Sequence, residues 1–336
     1  TSLVWGIDTD EALHSPKRIS LVTQYILDNY GRKTKKDADI FAHTKIMNVS
    51  EVVKQEKKAQ EGRNVEVRAE KQVFKTRGFN SILAVDSVKT AIQYYDEFKR
   101  QMEADPTKAL KVATIFTYAA NEEEDELGLL EDESPETAVE LDADSRSALE
   151  RAIKDYNQLF GTSYSTDGDA FQSYYKDVSL RMKQKDIDLL IVVGMFLTGF
   201  DAKTLNTLWV DKNLRMHGLI QAYSRTNRIL NAVKNCGNIV CFRNLEKATN
   251  DALSVFGDEN AGGVVILKTF EEYYCLGYKD NKGEDQPSYT ELAELLLADF
   301  PVESIIDIVS VDEKKRFIQL FGAILRLRNL LQAFDD

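Results

Sequence analysis

The sequence has 336 residues, 43% of them hydrophobic and 10% aromatic, with 17 Gly and 5 Pro. That is enough apolar material for about two compact units with real cores, and it excludes disordered, collagen-like and linker-dominated chains. The formal net charge of −12 argues on its face against a nucleic-acid binder, yet residues 121–150 carry 13 acidic residues and one basic one, while the rest is balanced at 42 of each sign.

A second charge feature runs the other way. From Gly31 to Arg77 there are 13 basic and 7 acidic residues, opening with Arg32, Lys33, Lys35 and Lys36. Such an excess suits phosphates as well as it suits a solvated helix face. The longest apolar stretch, Leu189 to Phe200, is short of the roughly 20 residues a membrane helix needs, and no signal-like segment opens the chain. Cys236, Cys241 and Cys275 show no metal-ligand spacing, and an odd count suits a reducing compartment. The expectation is a soluble, cytoplasmic protein with no membrane partner and no metal held by its own residues.

In chain order, Ser15 and Pro16 read as N-cap and first residue of a helix that Gly31 ends, with Ile19, Val22, Ile26 and Leu27 as its apolar stripe. A charged stretch without strong periodicity follows to about Gly78. Phe79–Val85 reads as a buried strand running into Asp86-Ser87, which cap a helix carrying Val88, Ile92, Tyr95, Phe98 and Met102. Val112–Thr117 is a second strand. The acidic segment, taken as an insertion over 121–165, reads as a mobile loop. A helix over 169–183 leads to Ile187–Val193, the strongest strand signal. A strand at 205–210, a helix at 219–230 and a strand at 238–242 complete the pattern. Continuous apolar strands alternating with helices predict an α/β fold with a doubly wound parallel sheet. Beyond Leu245 the pattern turns helical, with Phe317, Leu320, Ile324, Leu327 and Leu331 forming one seam. The expected units are a helical, basic lead-in over 1–78, the α/β domain over 79–245 and a helical region over 246–336.

Ligands of open α/β sheets gather at the carboxyl ends of the strands, and three segments are expected there. Asp86-Ser87 opens a helix whose free N–H groups favour phosphate, although a plain N-cap reads as well. Leu197-Thr198-Gly199-Phe200-Asp201 offers a tight turn, a hydroxyl and a carboxylate directly after the strongest strand. Gln221, Arg225 and Arg228 stand at i, i+4 and i+7, which predicts one helix face bearing two arginine forks suited to phosphate oxygens. Arginines paired with surface carboxylates are the competing reading.

Taken in order, these segments resemble the motor (R) subunit of type I restriction-modification enzymes, which are superfamily 2 DNA translocases. Gln221-x-x-Ser224-Arg225-x-x-Arg228 is similar to motif VI, with Ser224 where many members carry Gly. Leu197–Asp201 is similar to motif V, and Phe79–Val85 with Asp86-Ser87 to motif IV. The runs Asp188–Asp201, Leu205–Arg215 and Gly218–Ile229 resemble this subunit in particular, and Lys203 departs from it where proline is expected. A phosphate loop of the Gly-x-x-x-x-Gly-Lys-Ser/Thr type, an Asp-Glu box for Mg2+ and a nuclease carboxylate–lysine cluster are all missing from the sequence. The resemblance places them upstream of residue 1, so that the chain is a C-terminal fragment: a second RecA-like motor domain followed by a mostly helical region.

What the resemblance implies is ATP hydrolysis coupled to translocation on double-stranded DNA. ATP and Mg2+ are then bound mainly by the missing first motor domain. Arg228 acts as the finger on the γ-phosphate, Arg225 as its partner and Gln221 as an orienting group, while Asp201 couples nucleotide to DNA. Ser87, Thr198, Gly199 and the basic Arg32, Lys33, Lys35 and Lys36 meet DNA phosphates. Methyltransferase and specificity subunits are the implied protein partners. An assembly module that docks the methyltransferase core without touching ATP or DNA is the alternative.

Overall fold

The computed structural model describes residues 9–36, 40–116, 143–197, 200–228, 230, 234, 237–256, 268–280, 283–301, 310–331 and 334. The chain forms two compact units, Thr1–Gly257 and Asp258–Asp336.

The first unit begins with α1 (Thr9–Leu13) and α2 (Pro16–Lys33). Ser15 caps α2 by accepting the Arg18 N–H at 3.4 Å. Gly31 does not end this helix; it continues to Lys33, where the Thr34 N–H and hydroxyl both close on the Tyr30 carbonyl. The charged stretch that follows is structured. It forms β1 (Phe41–Ile46), α3 (Val49–Gln60) and β2 (Lys71–Thr76), with β1 and β2 paired antiparallel.

The sheet proper contains β3 (Asn80–Val85), β4 (Val112–Ile115), β5 (Leu189–Val192), β6 (Leu205–Asp211) and β7 (Asn238–Cys241) in the order β4-β5-β3-β6-β7. Every pairing is parallel. Each residue of β3, β5 and β6 is buried, which is why these strands read as unbroken apolar runs: both faces are covered. The fold is α/β with a doubly wound parallel sheet, followed by a mostly helical unit. Helix α4 (Val88–Ala104), capped by Ser87, packs on α2. Helix α5 (Ala143–Phe160) lies inside the segment expected to be an irregular loop. Leu149, Ile153 and Tyr156 are buried at spacings of 4 and 3, and that periodicity prevails over the acidic flanks. The acidic residues 121–142 lie outside the described residues. Helix α6 (Gly168–Lys183) returns to β5, α7 (Met216–Ser224) joins β6 to β7, and α8 (Glu246–Phe256) packs on α7.

Two buried carboxylates organise this unit. Asp211, at the carboxyl end of β6 and fully buried, accepts both Arg18 Nη atoms at 2.8 and 2.7 Å, the Tyr94 hydroxyl at 2.6 Å and Arg243 Nε at 3.1 Å. Arg243 also reaches Asp86, which holds His14 at 2.8 Å. Asp177 on α6 accepts from Tyr156 of α5, from Tyr164, from Ser50 of α3 and from Arg181. The lead-in is therefore not a separate unit: Arg18 fastens α2 to β6, and Tyr25 packs edge-on against Trp209 and Phe242. Nor does the division fall at Leu245, because α8 belongs to the first unit, where Thr249 meets the Tyr223 hydroxyl.

The second unit contains a π-helical turn at Glu272–Leu276, a short hairpin of β8 (Tyr278–Lys279) and β9 (Asp285–Gln286), and the helices α9 (Tyr289–Asp299) and α10 (Val311–Leu331). Ser288 and Glu291 cap α9 reciprocally. Ile324 and Leu327 of α10 close on Tyr273 and Leu292, so the expected seam forms the core of its own unit.

Burial pushes the Asp211 carboxyl up, but hydrogen bonds from Arg18 and Tyr94 outweigh it and hold the group below its ordinary 3.8. A carboxyl depressed on folding adds stability above its unfolded value and loses it as pH falls through the folded one. Asp211→Asn leaves Arg18 and Arg243 without their shared anion, and removing one partner of a buried ion pair costs about 3–5 kcal/mol. Urea unfolding of this chain at pH 7 should show a loss of that order, and the gap between wild type and variant should narrow as pH falls below 3.8.

Candidate functional site

Helix α7 runs from the carboxyl end of β6 to the amino end of β7, so its last turn lies at the amino edge of the sheet. The helix stops at Ser224, with Arg225 as its cap and Arg228 beyond it. Gln221, Arg225 and Arg228 therefore do not share one helix face. Hydroxyl competition at two residues explains the early end. The Ser224 hydroxyl donates to the Gln221 carbonyl at 2.7 Å, and Thr226 to Tyr223 at 3.0 Å. The backbone meanwhile tightens into i→i+3 bonds at Arg225, Thr226 and Asn227.

The two arginines take different positions. Arg225 is half-buried and braces the chain: Nε donates to the Gln221 carbonyl at 3.0 Å and Nη1 to the Phe200 carbonyl at 2.9 Å. Burial, then the nearby Arg228 cation, lower its affinity for a proton, while Asp201 opposes them. Arg228 faces solvent, its side chain 58% exposed, with Nε 3.2 Å from Asp201 Oδ1 on a carboxylate that is itself 48% exposed. An exposed pair of this kind contributes at most about 1 kcal/mol, so another anion can displace Asp201. The Leu197–Asp201 and Gln221–Arg228 segments, 20 residues apart in the chain, thus meet through one brace and one exchangeable ion pair. Thr198 and Gly199 lie outside the described residues. Lys203 is exposed in the turn before β6, so its side chain fits there without disturbing the packing.

Two residues that sequence reasoning did not single out hold this loop. Lys234 is fully buried and its ammonium donates to the carbonyls of Thr226, at 3.0 Å, and Arg228. Gly237 lies so close to Thr226 that an added Cβ would stand 2.3 Å from its hydroxyl and 2.6 Å from its carbonyl oxygen. Neither has a signal in the sequence, since a lone lysine and a lone glycine near a strand are unremarkable.

The other expected contacts are elsewhere. Asp86-Ser87 sits at the carboxyl end of β3, on the opposite edge of the sheet from Arg228. Expecting all three segments at the carboxyl ends was an error: a chain leaving β5 must return to the amino end of β6, and α7 must return to that of β7. The Ser87 hydroxyl is engaged as cap, accepting the Thr90 N–H at 3.1 Å. Burial raises the Asp86 carboxyl, but Thr90, His14 and Arg243 together bring it below its ordinary value. In the basic run, Lys33 and Lys35 are buried, and the Lys33 carbonyl accepts from Asn206, Thr207 and Asn238. Arg32 and Lys36 are exposed, Lys36 lying over the Tyr30 ring. Among the described residues no group of three or more His, Cys, Asp or Glu is placed to hold a metal ion, and no helix is long and apolar enough to cross a membrane.

Gly237→Ala should force Thr226 and the start of β7 apart. Overpacking of this kind costs about 1–3 kcal/mol, which urea unfolding of the chain would register, while Gly161→Ala, where the added Cβ meets nothing within 4 Å but φ is positive, should cost through backbone strain alone.

Residues 77–244 match the family described as type I restriction enzyme subunit R domain 3, and residues 265–336 match the type I restriction and modification enzyme subunit R C terminal family. The SauCOLORF180P type I restriction enzyme endonuclease subunit of Staphylococcus aureus is 35% identical over 100% of this chain and 29% of its own length. The SsaAORF53P subunit of Staphylococcus saprophyticus is 36% identical over 99% of this chain and 29% of its own. The HindI subunit of Haemophilus influenzae is 35% identical over 23% of this chain and 8% of its own. Among solved structures, S. cerevisiae Dbp5 bound to RNA and ADP BeF3 covers 54% of this chain and 33% of its own at 14% identity and a TM-score of 0.28, too slight a likeness to add to the fold. The chain spans less than a third of the length of the staphylococcal relatives, and it belongs to the R subunit family of type I restriction enzymes.

Proposed function

We propose that this chain is the second motor domain, with adjoining helical region, of an ATP-dependent double-stranded DNA translocase and endonuclease subunit. The observation that carries the reading is the Arg228–Asp201 pair with its Arg225 brace. It brings the two segments similar to motifs V and VI together at one edge of the sheet and leaves a guanidinium facing solvent.

The described residues fit one side of a nucleotide site in offering a solvent-facing cation for phosphate oxygens. ATP with Mg2+, held mainly by a first motor domain, supplies the phosphoryl group and the charge that neutralises it. Arg228 exchanges Asp201 for the γ-phosphate and stabilises the charge that develops there, a contribution of about 10³–10⁵ in rate for an arginine finger. Arg225 keeps the loop seated on Phe200, and Gln221 orients the nucleotide or the attacking water. Asp201, released from Arg228, reports the exchange to the adjoining Thr198-Gly199, which with Arg32 and Lys36 meets DNA phosphates; Ser87, engaged as a helix cap at the opposite edge of the sheet, stands outside that contact. Contacts to phosphate alone suit a motor that steps along any sequence.

A second reading assigns the helical unit to docking the methyltransferase and specificity subunits. Ile318, Phe321 and Leu325 favour it, exposed at 68, 44 and 38% and spaced 3 and 4 residues apart on α10.

In the full-length subunit assembled with its partners, Arg228→Ala should lower DNA-stimulated ATP turnover at least a hundredfold while duplex binding persists. Little change would make Arg228 a surface arginine and move the docking reading ahead. Lys234→Met, which frees the Thr226 and Arg228 carbonyls, should lower turnover in the same direction, and this chain by itself should show no ATP hydrolysis.

A further inference from the structure

The β1–α3–β2 subassembly has no role in the motor reading. Its two strands form an antiparallel ribbon in which Ala42 faces Lys75, Thr44 faces Val73 and Ile46 faces Lys71. Side-chain alternation gives the ribbon two unlike faces. The inner face is anchored. Phe41 is buried and stacks on Phe79 with ring centres 5.0 Å apart, and Lys45 bonds Asp186 at 2.7 Å. Gln184 grips the end of β1 by accepting the Ile46 N–H at 2.8 Å and donating to its carbonyl at 3.2 Å. The chain returning from α3 is fixed as well. The Asn48 side chain donates to the Arg68 carbonyl and accepts from the Glu70 N–H, both at 2.9 Å, and Gln55 accepts the Arg68 N–H at 2.8 Å.

Most of the outer face is solvent-exposed: Ala42, Thr44, Lys71, Val73 and Lys75 are exposed, Ile46 at its end is half-buried, and Arg77 is exposed just beyond. None of these residues is acidic. The small Ala42 and Thr44 lie on β1 and the lysines on β2, so a bulky anion can approach closely over the first half of β1 while being held from β2. Lys71 and Lys75 are four residues apart, which is roughly 13 Å along a strand and close to the roughly 12 Å width of a duplex major groove. Protein-binding surfaces are depleted in lysine and rich in aromatic side chains; this face has the opposite character.

We propose that the outer face of the β1–β2 ribbon is a docking surface for the phosphate backbone of duplex DNA, with Lys71 and Lys75 as its phosphate contacts. The choice of duplex as occupant rests on the translocase reading; the anionic character of the occupant rests on the ribbon alone. The surface adds sequence-independent grip and does not involve Arg228.

The test is a salt titration of full-length subunit binding to a labelled duplex that lacks a recognition site. Lys71→Ala/Lys75→Ala should make the slope of log K against log salt shallower by about 1.8, at roughly 0.9 per lost phosphate contact, and weaken binding at least tenfold at low salt. Lys71→Arg/Lys75→Arg should keep the wild-type slope, and Lys247→Ala, an exposed lysine on α8, should keep both slope and affinity. An unchanged slope in the alanine variant overturns the proposal. So does loss of subunit assembly with duplex affinity intact, which would mark the face as a protein contact. A wild-type subunit that fails to bind duplex at all removes the translocase reading, and the ribbon proposal with it.

Discussion

A carboxylate with 1% of its side chain exposed has to be paired where it lies, and Asp211 is paired to three elements at once. Arg18 brings α2, Tyr94 brings α4 and Arg243 brings the chain leaving β7, all to the carboxyl end of β6. Arg18 also donates to the Phe242 carbonyl at 3.0 Å, so the same guanidinium closes β6 onto the chain after β7. The other end of α2 is held by the Lys33 carbonyl, which takes hydrogen bonds from Asn206, Thr207 and Asn238 near the amino ends of β6 and β7, and by the Tyr30 hydroxyl, which donates to the Asp188 carbonyl at 2.7 Å. The helix is thus stapled across the sheet at both ends. That is why a lead-in rich in charge folds into the domain it precedes, and why the orphaned charge left by an Asp211 substitution would be felt across the whole unit.

The same network occupies the carboxyl edge of the sheet at β3 and β6. Carboxyl ends of parallel strands are the ordinary place for a site, but here the ends of β3 and β6 are closed by Asp86, Asp211, Arg18, Arg243 and His14 acting on one another. Bringing an anion there would mean breaking buried ion pairs. At the amino edge the Arg228–Asp201 pair is wet and weakly held, whereas Asp186, also at that edge, is paired with Lys45 and Arg181 on mostly buried side chains. Chain direction places the ends of the crossovers at that edge, and Arg228 is the cation there that faces solvent across an exposed pair.

Much of the fold was legible because it rests on local patterns. The apolar runs of β3, β5 and β6 reflect burial on both faces, and Ser15-Pro16 and Ser87 are caps that act within three residues of themselves. The misses share a cause. Arg18 and Asp211 are 193 residues apart, and nothing in the pattern around either predicts the other. The residues of β1 and β2 alternate between an anchored face and a wet one, with lysines on both, so their polarity hides the strand period. Helix α5 was masked by its acidic flank, although Leu149, Ile153 and Tyr156 carry the helical spacing. The site was legible in its residue types but not in its geometry. Arg225 and Arg228 keep their helical spacing in the sequence, while the hydroxyls of Ser224 and Thr226 end the helix between them.

That early end has a mechanical consequence for the two arginines. Had α7 continued, both guanidiniums would project from neighbouring positions on one rigid helix. Because it stops, Arg225 turns inward to the carbonyls of Gln221 and Phe200 and becomes part of the scaffold. Arg228 is then carried on an irregular loop whose carbonyls are gripped from below by Lys234. The loop gives Arg228 a fixed base, while its guanidinium is held by Asp201 in an exposed pair worth no more than about 1 kcal/mol. In this arrangement Ser224 is the residue whose hydroxyl helps to end the helix and so separates the bracing arginine from the solvent-facing one.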